Sequence, residues 1–242
     1  MTTPQIAGPS PVAVVTGASR GLGLALVRAL AGRGWRLVVD ARDPARLATA
    51  VETLPDASTV RALAGDVSDP EHRRSLAAAV DQAGRLDLLV NNASALGPSP
   101  LVSLADHPLD VLEQVYAANA LAPLGLVQLL LPQLRRAGGR ILNISSDAAT
   151  EAYAGWGGYG SSKAALDQLT AVLAVEHPGL RVYAVDPGDM ATHMQQAAFP
   201  GEDITDRPAP ETVVPALLRL IEGSLPSGRY RASDLEPETV LR

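Results

Sequence analysis

The sequence predicts an α/β fold: a doubly wound, mostly parallel sheet of seven strands with helices on both faces. Three observations carry this prediction. Short apolar runs alternate with segments of helical periodicity along nearly the whole chain. The strand candidates are continuously apolar, as in strands buried on both faces of a parallel sheet. The 242 residues, 47% apolar and 19% charged, suffice for a core and are too apolar for a disordered chain.

The first strand is expected over 12–16. A helix follows over 22–31, with Leu22, Ala25, Leu26, Ala29 and Leu30 at helical spacing. A strand over 36–40 and a helix over 44–54 come next, then a strand over 59–65 and a helix over 70–83. The strand over 86–91 is nearly all apolar. A long helix over 108–136 is expected to bend or break near Ala122 and Pro123. Strands over 140–145 and 181–186 flank a helix over 160–177; a helix over 211–222 and a strand over 229–232 complete the order. Right-handed crossovers turn this order into a doubly wound sheet. Residues 1–11 read as a flexible tail and 12–242 as a single domain. The segment 190–210 breaks the alternation with Pro200, Gly201, Pro208 and Pro210. It is the candidate for a mobile lid, with an ordinary surface insertion as the alternative.

Composition excludes several functions. A net charge of −6 argues against a nucleic-acid groove or an anionic membrane as partner. The apolar run 120–134 is interrupted by Pro123, Gln128 and Pro132, so no ordinary membrane span is expected. The first eleven residues have neither the basic nor the apolar region of a secretory signal, and a cytoplasmic location is expected. There is no Cys, hence no disulfide, thiolate nucleophile or Cys-ligated zinc. His72, His107, His177 and His193 stand apart without ligand spacing, so no metal site is expected. Of 20 basic residues, 19 are Arg and one is Lys163. A compact ammonium whose pKa can move differs from a planar, permanently charged guanidinium, which singles Lys163 out.

The first strand runs into Thr16-Gly17-Ala18-Ser19-Arg20-Gly21-Leu22-Gly23 and then a helix. Glycines let a backbone approach a pyrophosphate, and a helix N-terminus favours its charge. Gly17, Ser19, Arg20, Gly21, Leu22 and Gly23 are therefore candidate phosphate-side contacts. The end of the second strand reads Val39-Asp40-Ala41-Arg42-Asp43. An acid there favours a free ribose 2′-hydroxyl and an Arg a 2′-phosphate, and this chain offers both. Asp40 and Arg42 share one strand face if the strand extends that far.

Further motifs follow in order: Asp66-Val67, Asn91-Asn92-Ala93, Asn119, Ser146, Tyr159-x-x-x-Lys163 and Pro187-Gly188-x-x-x-Thr192. With the glycine turn, this series over about residues 12–233 resembles the short-chain dehydrogenase/reductase family, the single-domain type with a Rossmann fold. Tyr159 and Lys163 are four apart at a helix start and so share a face. A phenol has a pKa near 10, and a neighbouring ammonium is expected to lower it. Tyr159 then gives a proton to a carbonyl oxygen or takes one from an alcohol. The resemblance places Ser146 on the substrate oxygen, with adjacent Ser145 as the alternative. It assigns Asn119 a water linking Lys163 to solvent; a buried hydrogen-bonding role is the other reading.

The resemblance also implies the cofactor contacts. Asp66 would accept from the adenine amino group, with Val67 lining the ring. Asn92 and Ala93 would lie beside the adenosine ribose, Pro187, Met190 and Thr192 around the nicotinamide amide, and Tyr159 and Lys163 at the nicotinamide ribose. Ser94 replaces the family's usual glycine, and its Cβ should narrow the cleft. The family's NAD-selecting acid falls on Ala41, while Arg42 and Arg20 match the basic contacts to a 2′-phosphate. NADP is therefore the expected cofactor and NAD the second choice, since Asp40 could neutralise Arg42. The expected activity interconverts a ketone or aldehyde with an alcohol by hydride transfer. A non-catalytic dinucleotide-binding regulator and a sugar-nucleotide epimerase or dehydratase are the rival readings. The substrate would meet 94–101, 147–156 and 190–207. There Tyr153, Trp156, Met194 and Phe199 suggest an apolar small molecule, or else lid packing. The stretch 121–134 suits pairing into a homodimer or homotetramer, or burial in the core.

Overall fold

In the first strand, Ala13 and Val15 face one side of the sheet while Val12 and Val14 face the other, and all four are buried. That alternation gives the molecule two cores. The computed structural model describes residues 10–235, so most of the expected tail lies outside the described residues. Seven strands form one sheet: β1 (Val12–Val15), β2 (Arg36–Ala41), β3 (Val60–Ala64), β4 (Leu88–Asn91), β5 (Arg140–Ile144), β6 (Arg181–Asp186) and β7 (Gly228–Arg231). Their order is β3-β2-β1-β4-β5-β6-β7, and every pairing is parallel.

Helices α1 (Gly21–Ala31), α2 (Pro44–Glu52) and α8 (Val214–Glu222) supply the core that takes Ala13 and Val15. Helices α3 (Pro70–Ala83), α5 (Ala122–Ala137) and α6 (Gly157–Glu176) cover the opposite face. The order reverses between β1 and β4. A crevice therefore opens beyond the carboxyl ends of the strands there, the usual ligand position in such sheets.

The interruption of the long helix lies just before the expected place. Helix α4 (Leu109–Tyr116) continues through a π-helical turn, Ala117–Leu121, into α5. The irregularity is centred on Asn119, and Pro123 sits in the first turn of α5, where a missing N–H does least harm. The run Leu109–Ala137 is also continuous enough, at 29 residues, to match a membrane span by length and composition. Here Leu126, Val127, Leu130 and Leu134 bury one face against the sheet core. Helix α6 starts at Gly157, so Tyr159 lies in its first turn. The lid candidate holds an unexpected short helix, α7 (His193–Ala198), capped by the Thr192 hydroxyl.

Candidate active site

The crevice is a cavity of about 1280 Å³ lined by the glycine turn, the loops after β2 to β6 and the segment around α7. At its phosphate end, Thr16 Oγ1 accepts from the N–H groups of Asn92 and Ala93, each at 3.0 Å. Asn92 Nδ2 donates to the carbonyls of Thr16 and Gly17 at 2.8 and 3.1 Å. The turn is thereby fastened to the loop after β4, and the Asn92 amide is spent on that task. Gly17 has φ +68°, and a Cβ on Gly23 would stand 2.3 Å from the Gly17 oxygen. Both positions need glycine, one for its conformation and one for space. Ser19, Arg20, Gly21 and Leu22 line the cavity beside them, and no side chain caps the start of α1.

Asp40 and Arg42 do not share a face. The strand ends at Ala41, Asp40 is 1% exposed, and Arg42 is exposed at the cavity mouth. Asp40 Oδ1 accepts the Gly17 N–H at 2.8 Å, and Oδ2 lies 3.0 Å from His72 Nε2. Burial pushes the Asp40 carboxyl up, and the His72 and Gly17 hydrogen bonds pull it back. The acid braces the glycine turn from behind instead of neutralising Arg42. Arg20, Arg42 and Arg46 line the mouth together. Burial and the charges of Arg46 and Arg42 hold the Arg20 guanidinium below its ordinary value, with Asp43 opposing. Asp66 and Val67 line the same end, as do Asn92 and Ala93, while Pro187, Met190 and Thr192 line the other.

At that other end lies Tyr159, 8% exposed, packed edge-on against Trp156 at 5.7 Å. Ser94 and Ser146 line the same cavity with their hydroxyls. Burial pushes the phenol well above its ordinary value, the two hydroxyls oppose the rise, and Asp147 and Asp186 add to it. Lys163 is 2% exposed and donates to the Ile144 carbonyl at 2.7 Å. Burial lowers its ammonium to about 8, with Asp167 opposing. The expected lowering of Tyr159 by Lys163 is absent. Nζ faces the ring, 5.5 Å from its centroid, and spends a donor on the backbone, while burial of the phenol dominates.

The serine pair separates clearly. Ser146 Oγ donates to Asp147 Oδ1 at 2.9 Å and lines the cavity that Tyr159 also lines, whereas Ser145 Oγ is buried and finds no partner among the described residues. Asn119 is fully buried behind the cavity wall. Its Oδ1 accepts from Ala95 N at 2.7 Å and Ser94 Oγ at 3.0 Å, and its Nδ2 donates to Ala95 O at 2.8 Å and Ser162 Oγ at 2.9 Å. Those four bonds tie the β4 loop to α6 and leave the side chain no capacity for a water toward Lys163. The π-helical turn around Asn119 accommodates this, as such bulges often do at functional sites.

The family model described as short chain dehydrogenase matches residues 11–203. The chain belongs to the short chain dehydrogenase family, and it is an oxidoreductase of that family. It is 35% identical over 211 residues to the 2-(R)-hydroxypropyl-CoM dehydrogenase of Xanthobacter autotrophicus, covering 82% of each chain. Among solved structures it resembles a short chain dehydrogenase from Pseudomonas syringae, with 34% identity and a TM-score of 0.84 over 92% of this chain and 94% of that one. A short chain dehydrogenase from Escherichia coli CFT073, solved with NADPH, is 28% identical with a TM-score of 0.85 over 92% and 96%.

In this short chain dehydrogenase, three residues at the site escaped the sequence reading. Arg46 joins the arginine mouth from the first turn of α2, and its nearness in sequence to Arg42 was the available signal. Ser94 was read as bulk, yet its hydroxyl donates to Asn119 Oδ1 at 3.0 Å. Arg229 of β7 donates to the Ser146 carbonyl at 2.9 Å and to Asp167 Oδ2 at 2.8 Å; nothing in its local sequence announces this. The segment around α7 packs at the Tyr159 end, with Phe199 6.0 Å from Trp156 and the Arg207 guanidinium 5.0 Å from the Phe199 ring. Met194, Trp156 and Phe199 pack with Leu96, Leu101 and Tyr159 in a small apolar cluster, and Tyr153 also lines the cavity, its hydroxyl donating to Asp147 and Glu151.

Proposed function

We propose that the protein is an NADP(H)-dependent oxidoreductase that interconverts a ketone or aldehyde with its alcohol, using Tyr159 as acid/base. The reading is carried by one cavity lined by three arginines at one end and by the buried Tyr159 phenol with Ser94 and Ser146 at the other. Residues 12–242 act as one catalytic domain on a small apolar carbonyl or alcohol substrate. A cytoplasmic homodimer or homotetramer completes the reading, with exposed Leu121, Leu129, Val172 and Val175 offering apolar helix faces.

The residues present fit the cofactor. Gly17 and Gly21 line the cavity, and a Cβ at Gly21 would meet only Thr192 Cγ2, at 3.6 Å, so the backbone there lies open to a pyrophosphate. Arg20, Arg42 and Arg46 would hold a 2′-phosphate, and the NADPH complex of the Escherichia coli relative supports that choice. Asp66 and Val67 would meet the adenine, Pro187, Met190 and Thr192 the nicotinamide, and Lys163 its ribose. Bound NADPH supplies the hydride. Ser146 orients the substrate oxygen toward Tyr159. A phenol raised by burial keeps its proton at neutral pH and yields it only to a stronger base, such as the alkoxide formed as the carbonyl is reduced. The Trp156–Phe199 wall excludes water from that transfer.

The test is NADPH oxidation with acetophenone, cyclohexanone, ethyl acetoacetate and benzaldehyde, beside titrations with NADPH and NADH. Absence of turnover on the whole panel, or tighter binding of NADH, would overturn the reading. Hydrogen bonds to charged groups contribute about 1.5–3 kcal/mol, so Ala41→Asp with Arg42→Leu should move preference toward NADH by about tenfold to a hundredfold. Asp40→Ala should behave differently. It leaves the Gly17 N–H and His72 unpaired in the interior and should cost about 1–3 kcal/mol of stability. The ratio of NADPH to NADH affinity should stay the same, because both carboxylate oxygens are engaged by Gly17 and His72 and not by the arginines. A thermal melt and the same titration check both points, and a gain in NADPH preference would mean that Asp40 does oppose Arg42.

A further inference from the structure

Three parts of the site meet at one side chain outside the cavity. Arg229 stands on the edge strand β7 and is not among the residues that line the cavity. Neighbouring Tyr230 packs into the core on one face of the sheet, so by the period of two Arg229 faces the other, where α6 lies. There Nη2 donates to the Ser146 carbonyl at 2.9 Å and Nε to Asp167 Oδ2 at 2.8 Å, while Nη2 lies 3.9 Å from Asp186 Oδ2. Each partner belongs to a different part of the site. Ser146 follows β5, and Asp167 lies one helical turn after Lys163 on α6. Asp186 ends β6, and its Oδ1 accepts the Gly188 N–H at 3.0 Å. The bond to Ser146 is the one that reaches the chemistry. On one side of that residue, the Ser145 N–H donates to the Val185 carbonyl at 2.7 Å. On the other, the Ser146 carbonyl accepts from Arg229 and, at 3.2 Å, from the Ala149 N–H. Ala149 belongs to the same short turn as Ser146 and moves with it, so Arg229 is the partner that holds this carbonyl from a separate element.

We propose that Arg229 is a positioning residue for the reaction: from the edge of the sheet it ties the Ser146 peptide to α6 and so aims the Ser146 hydroxyl at the substrate oxygen. This rests on the reading of Ser146 as the group that orients that oxygen. The planar fork is what suits Arg229 to the task. Its Nε and Nη2 point along directions fixed relative to each other, so the pair with Asp167 sets the direction from which Ser146 is held. Asp167 depends on the same fork. Its Oδ1 is buried and finds no partner among the described residues, which leaves Oδ2 on Arg229 as the carboxylate's anchor.

The test is a double-mutant cycle, because a residue that acts through the Ser146 hydroxyl has nothing to act on once that hydroxyl is gone. Four proteins are compared: the parent, Arg229→Lys, Ser146→Ala and the double variant. Arg229→Lys keeps a cation beside Asp167, so the carboxylate is not orphaned, but it loses the fork. Reduction of the best ketone from the panel is followed in single turnovers with enzyme in excess, which keeps slow variants measurable. Thermal melts and NADPH titrations accompany the rates. Arg229→Lys should melt close to the parent, bind NADPH within about threefold and lose about tenfold to a hundredfold in rate, the scale of a slight misplacement at a reacting centre. In the Ser146→Ala background the same change should cost less than about twofold. An equal loss in both backgrounds would mean that Arg229 acts through Asp167 or as a plain structural tie, and would overturn the proposal, as would an unaltered rate with Ser146 present. Should Arg229→Lys not fold, Arg229→Gln, which keeps a planar donor without the charge, takes its place in the cycle. The Ser146→Ala protein separates the two readings. If it is slow while the two losses simply multiply, Arg229 alone falls; if it keeps the parent rate, the role of Ser146 and this proposal fall together.

Discussion

Tyr159→Phe is expected to cut turnover by about 10²–10⁴-fold, the contribution typical of a general acid–base group, with NADPH affinity within about threefold of the parent. The change removes one oxygen from a ring that stays packed against Trp156. It leaves no orphaned polar group behind, because Ser94 retains Asn119 and Ser146 retains Asp147 as partners. The loss should therefore fall on kcat, with the fold and the cofactor site intact. Steady-state turnover beside a fluorescence titration with NADPH measures both quantities. A fully active Tyr159→Phe protein would remove the proton-transfer role from Tyr159 altogether.

Lys163→Arg should fail in a different way, losing at least about a hundredfold in turnover and also weakening NADPH binding. The chain places Arg at every other basic position, so a site that needed only a cation had a ready alternative. The ammonium lies 2% exposed, one turn from Tyr159, with its nitrogen 2.7 Å from the Ile144 carbonyl. A planar guanidinium needs more room and points its N–H groups along fixed directions. It also cannot shed its charge, whereas burial already brings Lys163 to about 8. Lys163→Arg and Lys163→Ala, compared for turnover, NADPH affinity and circular dichroism, decide the matter. Near-normal turnover in the Arg protein would mean that charge alone is required at 163.

The sheet was legible because its signal is local and repeated. Val12 to Val15 or Leu88 to Val90 can bury both faces only in a covered parallel sheet, and the turn at Gly17 to Gly23 carries its own geometry. The spacing of Tyr159 and Lys163 likewise fixes a shared helix face within one turn. What stayed hidden depends on partners far along the chain. The direction of Asp40 is decided by His72, 32 residues later, and by a backbone N–H that only the folded turn presents. The place of the helix irregularity follows from Asn119 binding the Ala95 loop and Ser162, which overrides the prolines the sequence displays. The choice between Ser145 and Ser146 turns on which side of β5 faces the crevice, and a period-two argument cannot settle that where the strand ends. The effect of Lys163 on Tyr159 depends on the direction of one flexible side chain, which spacing does not contain.

The arginine mouth has a thermodynamic side that its role in binding conceals. Arg20, Arg42 and Arg46 repel one another, with Asp43 in opposition. An incoming phosphate dianion gains its own attraction and also discharges that repulsion. A dinucleotide ending in a plain hydroxyl must leave the repulsion in place, so it is disfavoured by what it fails to neutralise as much as by what it fails to contact. Discrimination of this kind is built into the resting protein before any ligand arrives. It weakens as added salt screens the three charges from one another.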